Sequence, residues 1–269
     1  MGGTRELIFL GTGASCGVPT FYCGCDACEE ARRHPEYARS CSSIAISGRE
    51  TTLIDTSPEL RLQFVRERLD GTDRVLYTHE HFDHVGGLPQ LEYYKKIASK
   101  GVLPVYAGNE CAAYLEQHFD FMLDVLSINR IAPFEPLVFD GVEYLPLPAA
   151  HCPGAYGYLI SFESTKVAYF PDTGPLSDEV LALIEGIDIL IMDSTFNGRN
   201  WMPDAHTTID GAIDAARALH PKTMYLTHLS MHFDEPITAT QLQERLDGIR
   251  KAEGLDIRMP VDGTRVVLS

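Results

Sequence analysis

Arg74-Val-Leu-Tyr-Thr-His79-Glu-His81-Phe-Asp83-His84 runs an apolar strand pattern straight into three histidines and an aspartate, with Gly86-Gly87 just beyond. In an extended segment residues two apart point the same way, so His79 and His81 can hold one ion. If the chain then turns into a helix, Asp83 and His84 swing toward an adjacent ion, and the glycine pair permits close backbone approach. Imidazole and carboxylate suit Zn²⁺, Mn²⁺ or Fe²⁺ and do not choose among them. The bland alternative is an acidic, histidine-bearing turn with no metal. Against it stand four further residues where predicted strands end: His151, Asp172 in Phe170-Pro-Asp172-Thr-Gly174, His206, and His228 in Tyr225-Leu-Thr-His228. Any one of them alone would more often be a buried, hydrogen-bonded polar side chain; their recurrence beside a metal motif reverses that weighting.

Outward from this motif the chain alternates strands and helices. Strands are expected at Leu7–Leu10, Ser43–Ser47, Thr51–Asp55 and Arg74–Thr78, and a helix is expected to start at Ser57 as N-cap with Pro58 first inside. Gly87 to about Phe134 reads as mainly helical, with a strand at Val102–Tyr106. A second half repeats the plan, with strands at Val142–Leu147, Tyr156–Phe162, Lys166–Phe170, Ile187–Met192 and Thr223–Thr227. Its helices fall near 177–186, 208–219 and 238–253, the second opened by Thr207 with Asp210 as a capping box. Two β-rich halves carrying helices predict two sheets packed face to face with helices outside, an α/β four-layer arrangement forming one domain over 1–269.

The 269 residues are 45% hydrophobic and 22% charged, which excludes a disordered or collagen-like chain. With 38 acidic against 22 Lys and Arg side chains, the formal net charge is −16. Such a field repels polyanions, so nucleic acid is not expected as a main partner, whereas a small phosphorylated substrate remains open. The opening Met1-Gly-Gly-Thr-Arg-Glu-Leu shows no signal-type run, and Glu6 breaks the myristoylation pattern. No apolar stretch approaches the roughly 20 residues that span a bilayer. A soluble cytoplasmic protein with reduced thiols and no membrane partner is expected. The sequence leaves the oligomeric state open, a homodimer being the commonest arrangement of soluble enzymes.

Seven cysteines are an odd number, and Cys23-Gly-Cys25-Asp-Ala-Cys28 crowds three into six positions, a poor disulfide framework. Three thiolates at that spacing can wrap a tetrahedral Zn²⁺ that still needs a fourth ligand; the alternative is three unligated thiols. Cys16, Cys111 and Cys152 read as small buried hydrophobes, and Cys41 receives no role.

The His79–His84 hexapeptide with the later His, Asp and His resembles the metallo-β-lactamase superfamily of hydrolases across the whole chain. That resemblance implies an αββα sandwich with two metal ions at one edge of the sheets. His79, His81 and His151 would hold one ion, and Asp83, His84 and His228 the other, with Asp172 bridging. Gly17-Val-Pro19, the cysteine trio, Arg39-Ser-Cys41-Ser and Leu226-Thr-His228 resemble the PhnP-type branch of phosphoribosyl 1,2-cyclic phosphate phosphodiesterases. In that branch the trio and a C-terminal histidine hold a structural zinc, here within a loop at about 16–41. The family places that histidine three residues after the last catalytic one, where this chain has Met231; His232, one place further, is assigned the role. His206 resembles the substrate-side histidine that contacts phosphate and protonates the leaving oxygen, and a nearby helix N-terminus would favour an anion. The loop before it, with Arg199 and Trp201, departs from the family pattern; Arg199 would contact a second phosphate or simply be solvated.

The resemblance thus implies a dinuclear Mn²⁺ or Zn²⁺ hydrolase, Fe²⁺ being also compatible, with Asp83, Asp172 and His206 as catalytic residues. It would open a small cyclic phosphodiester, 5-phosphoribosyl 1,2-cyclic phosphate first, to ribose 1,5-bisphosphate with a hydroxide shared by the ions as nucleophile. Rival readings are a nuclease similar to the tRNA 3′-end processing enzymes, whose protruding Gly/Pro-rich arm is not found here, a thioester or lactone hydrolase, and a non-catalytic binding protein similar to PqqB.

Overall fold

The computed structural model describes residues 5–268; Met1–Thr4, part of the segment read for a leader, and Ser269 lie outside the described residues. β1 (Arg5–Gly11), β2 (Ser43–Ser47), β3 (Thr51–Ile54), β4 (Arg74–Leu76), β5 (Leu103–Ala107), β6 (Leu126–Arg130) and β14 (Arg265–Leu268) form one sheet in the order β14-β1-β2-β3-β4-β5-β6. β7 (Leu137–Phe139), β8 (Val142–Pro148), β9 (Tyr156–Phe162), β10 (Thr165–Phe170), β11 (Ile189–Asp193), β12 (Thr223–Thr227) and β13 (Ile257–Arg258) form the second, in the order β13-β12-β11-β10-β9-β8-β7. Both sheets are mixed: β3 to β6 run parallel in the first, β10 to β13 in the second.

The two-residue period of a strand divides the core. Leu7 and Phe9 of β1 point into the layer between the sheets, where Tyr144, Tyr158, Ile160, Tyr169 and Ile191 meet them. Ile8 and Leu10 point the other way, into the cluster that Leu60 of α2 (Leu60–Glu67) and, over β5 and β6, Leu115 of α4 (Asn109–His118) also join. On the far side of the second sheet, Leu190, Met192 and Leu226 are covered by α5 (Asp178–Ile184), α6 (Ile209–Leu219) and α7 (Ala239–Glu253), and by Ala27 and Ala31 of α1 (Asp26–Arg33). Each fully buried aliphatic side chain is worth about 1.5–3 kcal/mol against exposure. The result is two sheets flanked by helices, the four-layer α/β arrangement expected.

Several local expectations shift. Ser57 does not cap a helix: α2 starts at Leu60, its N-cap is Glu59, and the Ser57 carbonyl accepts from the Leu60 amide. Ser57 is instead fully buried against Gly87, where a Cβ would stand 2.0 Å from the Ser57 carbonyl oxygen. The cap of α6 is Thr208, which accepts from the Gly211 amide, while Thr207 donates to the Thr173 carbonyl. Leu126–Arg130, expected within a helical stretch, is the edge strand β6; its Leu-Ser-Ile-Asn alternation packs Leu126 and Ile128 inward. The short strands β7, β13 and β14 were not anticipated either, since two to four residues carry too little pattern to read.

Candidate active site

The parallel strands of both sheets end on the same edge, and the chemistry gathers there. β3 delivers Asp55; β4 delivers Thr78 and His79, and the extended His81 leads into α3 (Phe82–Val85), which carries Asp83 and His84. From the second sheet come His151 after β8, Asp172 after β10, Asp193 at the end of β11 and His228 after β12. Ligand-type atoms of His79, His81, His151 and Asp172 all lie within 4.8 Å of one another, as do those of Asp83, His84, Asp172 and His228. Asp172 belongs to both groups. Its Oδ2 is 3.1 Å from His84 Nε2, 3.4 Å from His79 Nε2 and 3.5 Å from His151 Nε2, while Oδ1 is 3.0 Å from His228 Nε2.

The outward nitrogens show how these rings are held. Asp55, fully buried, accepts from His84 Nδ1 at 2.8 Å and from the Thr78 hydroxyl; that hydroxyl lies 3.0 Å from His79 Nδ1. Because Thr78 spends its proton on Asp55, it accepts from His79. The second sheet repeats the device. Asp193 accepts from His206 Nδ1 at 2.8 Å and from the Thr195 hydroxyl at 2.6 Å, and that hydroxyl accepts from His228 Nδ1 at 2.8 Å. The Ala205 carbonyl takes His151 Nδ1 at 2.9 Å. The Nε2 lone pairs of His79, His84, His151 and His228 are thereby left for the cluster.

This donor set fits metal ions. His81 Nδ1 stands 3.0 Å from His79 Nε2 and 2.9 Å from His151 Nε2, a convergence of lone pairs that a cation relieves. His84 Nε2 and Asp172 Oδ1 are buried without a hydrogen-bond partner, a cost that coordination removes. Charge agrees. Burial alone would lower the His84 pKa, yet the carboxylates of Asp172, Asp83 and Asp55 raise it well above the ordinary value. Burial would raise the Asp172 pKa, but the charges of His228 and His84 hold it well below the carboxylate range. Burial, with the charge of His84 beside it, pushes His79 well down. The carboxylates at this edge demand positive charge.

His206 lies just before α6, 91% buried, its ring 4.7 Å from that of His151 and stacked 5.4 Å from that of His228. Asp193 occupies its Nδ1, and Nε2 has no protein partner among the described residues. His206 also belongs to a third group of ligand-type atoms with Asp172, Asp193 and His228. Arg199 is exposed on the loop between Phe196 and Ala205 and has no hydrogen bond or ion pair among the described residues; the structure does not bring it into the cluster. Asp55 and Asp193 were the residues missed. Asp55 ends the predicted strand Thr51–Asp55 and Asp193 directly follows the predicted strand Ile187–Met192, but their partners lie 29 and 13 residues away.

Away from this edge the sulfurs of Cys23, Cys25 and Cys28 lie within 4.8 Å of one another, and the Cys25 amide points at Cys23 Sγ, 3.5 Å away. His232 does not join that set, yet it is buried and neither ring nitrogen has a partner. Cys41 and Cys111 are buried thiols, Cys16 and Cys152 half-buried ones.

The family profile described as beta-lactamase superfamily domain matches residues 50–229. An octanoyltransferase of Porphyromonas gingivalis is 29% identical over 239 residues, covering 84% of this chain, which spans about half (46%) of that protein's length. A coenzyme PQQ synthesis protein B of Methylobacterium radiotolerans is 30% identical over 224 residues, covering 71% of this chain and 73% of that one. Among solved structures, a diphosphatase from the PhnP family superposes with a TM-score of 0.84 at 26% identity, covering 98% of this chain and 97% of that one. Two helix-flanked mixed sheets, an aspartate shared by two groups of ligand-type atoms at their common edge and a profile match through both groups place the chain in one family: it belongs to the metallo-β-lactamase superfamily.

Proposed function

We propose that this metallo-β-lactamase-fold protein is a two-metal phosphodiesterase acting on a small cyclic phosphodiester, with 5-phosphoribosyl 1,2-cyclic phosphate as the first substrate to test. The observation that carries this reading is His206, held by Asp193 beside a carboxylate shared between two ligand groups. The likeness to a PhnP-family diphosphatase supports phosphorus as the centre attacked. His79, His81 and His151 would hold one divalent ion, Asp83, His84 and His228 the other, with Asp172 common to both. When bound, such a pair offsets the charge gathering on the phosphoryl oxygens and makes water nucleophilic at neutral pH.

The protein's own groups do the rest. Asp55 and Thr78, and Asp193 and Thr195, fix the rings so that no reorganisation is needed during reaction. A water that has released one proton to solvent would attack phosphorus, the bond to the sugar oxygen would break, and His206, protonated on both ring nitrogens with Nδ1–H on Asp193, would give that oxygen the Nε2 proton. Arg199, exposed and with no hydrogen bond or ion pair among the described residues, would reach a second phosphate from the same loop. The cysteine trio would hold a structural Zn²⁺, and His232, which stands outside that group but is buried with neither ring nitrogen satisfied, would have to move to it on loading to serve as fourth ligand.

The test is ³¹P NMR of the ribose 5-phosphate 1,2-cyclic diester with Mn²⁺-loaded protein. Ring opening that Asp172→Ala lacks is the expected result. No opening with both ions bound would overturn the phosphodiesterase reading and turn attention to thioesters and lactones.

A further inference from the structure

A cavity of about 430 Å³ shares no residue with the metal-ligand clusters. It lies between residues 16–19, residues 35–40, one side of α2 and Asp262. Arg39 lines it and is 3% exposed. Its Nε donates to Met231 Sδ at 3.1 Å, and its Nη1 donates to Thr12 Oγ1 at 2.6 Å and to the Pro260 carbonyl at 2.7 Å. Nη2 is buried with no acceptor among the described residues. Asp262 acts on Arg39 by charge, yet its oxygens are fully engaged. They accept from Thr12, from the amide and hydroxyl of Ser40 and, at 3.4 Å, from Arg66. Burial therefore outweighs Asp262 and pushes the Arg39 pKa down to about 10. The other wall donors have partners: Gln63 Nε2 gives to Ser40 Oγ and the Cys41 carbonyl, and Arg66 also gives to Glu67 and the Leu10 carbonyl.

A buried guanidinium short of an acceptor is costly. We propose that this cavity binds a small organic monocarboxylate, which supplies the acceptor Arg39 Nη2 lacks. A single negative charge answers the need. A second is repelled, because Glu36, Glu59 and Asp262 line the same space, so phosphate is a poor fit. Val18, Pro19 and Leu62 on the walls suit a short aliphatic tail. The occupant also acts on the metal-ligand edge, whichever ester is hydrolysed there. Arg39 holds Met231 by its sulfur, and Thr12, which accepts from Arg39, takes the Leu229 amide on its carbonyl at 3.0 Å. The loop that carries His228 is thus pinned to Arg39 on both sides of Ser230. His228 and Met231 sit at φ 57° and 60°, left-handed conformations that persist only while their surroundings enforce them. Fixing Arg39 holds that loop in its ligating form.

Calorimetric titration of 4-methylpentanoate into the Zn²⁺-loaded full chain should show saturable binding, and the uncharged 4-methylpentanamide should show none. Equal binding of the two, or none of the acid, would overturn the site. Arg39→Met should weaken the acid roughly tenfold to a hundredfold, the worth of a hydrogen bond to a charged group. An acid bound as tightly by this variant is held by the ions instead, which also overturns the site. If Arg39→Met does not fold, Glu59→Gln decides: it removes a like charge from the wall and should tighten the acid severalfold, and unchanged affinity would refute the proposal. Saturating acid should raise Zn²⁺ affinity, read by competition with a chelating dye, by roughly fivefold or more, and Zn²⁺ should raise affinity for the acid by the same factor. Absence of both shifts would overturn the link to His228.

Discussion

Replacing His206 by Ala should lower kcat by roughly 10²- to 10⁴-fold, the usual span of lost general-acid catalysis, with both ions retained on elemental analysis. Full activity in that variant would sink the proton-donor role. Asp55→Asn should act differently. It leaves His84 in place but removes the charge that orients its Nδ1–H, so metal affinity should fall by about 10- to 100-fold in competition with a chelating dye. The ligands themselves were legible in the sequence because coordination tolerates few residue types and the hexapeptide fixes their spacing. Asp55 and Asp193 were not, because a carboxylate that orients a ring looks like any polar strand end until folding brings the ring to it. His232 and Arg199 show the same limit from the other side: residue type suggested a role, and the fold places neither within the ligand clusters.

Among the elements, the turn from α3 into Gly86-Gly87 is the tightest near the site. Gly87→Ala would push a Cβ against the Ser57 carbonyl, which is backbone and cannot swing away. About 1–3 kcal/mol of destabilisation is expected from such overpacking, read from urea unfolding, together with weaker metal uptake, since the His84 carbonyl accepts from the Thr56 amide beside the same turn. The contact also explains why the sequence misplaced the start of α2. Ser57 and Pro58 make a good local cap signal, but tertiary packing on Gly87 outranks it. Strands such as β2 and β9 could be read because their alternation extends over five and seven residues. β6 hid because its period-two pattern follows directly on a helical run.

At the scale of the molecule, each ion would draw ligands from both sheets. Metal removal should therefore lower the melting temperature, and restoring the ions should raise it in step with their affinity. The pH dependence has a definite sign. Without metal, His84 and His228 have raised pKa values: burial opposes this, but the neighbouring carboxylates, Asp172 foremost, prevail. Their contribution to stability is full below the unfolded value of about 6.5 and is lost as pH rises through the raised folded values. Ions must displace those protons, so affinity should increase over the same range. Calorimetry in two buffers of different ionisation enthalpy should show proton release on loading; none would contradict the assigned ligands. No helix among the described residues is long and apolar enough to cross a membrane.

The chain passes from the first sheet to the second through Pro133–Pro136, which is exposed. A cut there would part His79, His81, Asp83 and His84 from His151, Asp172 and His228. Neither fragment could bind like the whole, so the pair would behave as a split reporter, in which tight metal capture signals that two separately made pieces have found each other.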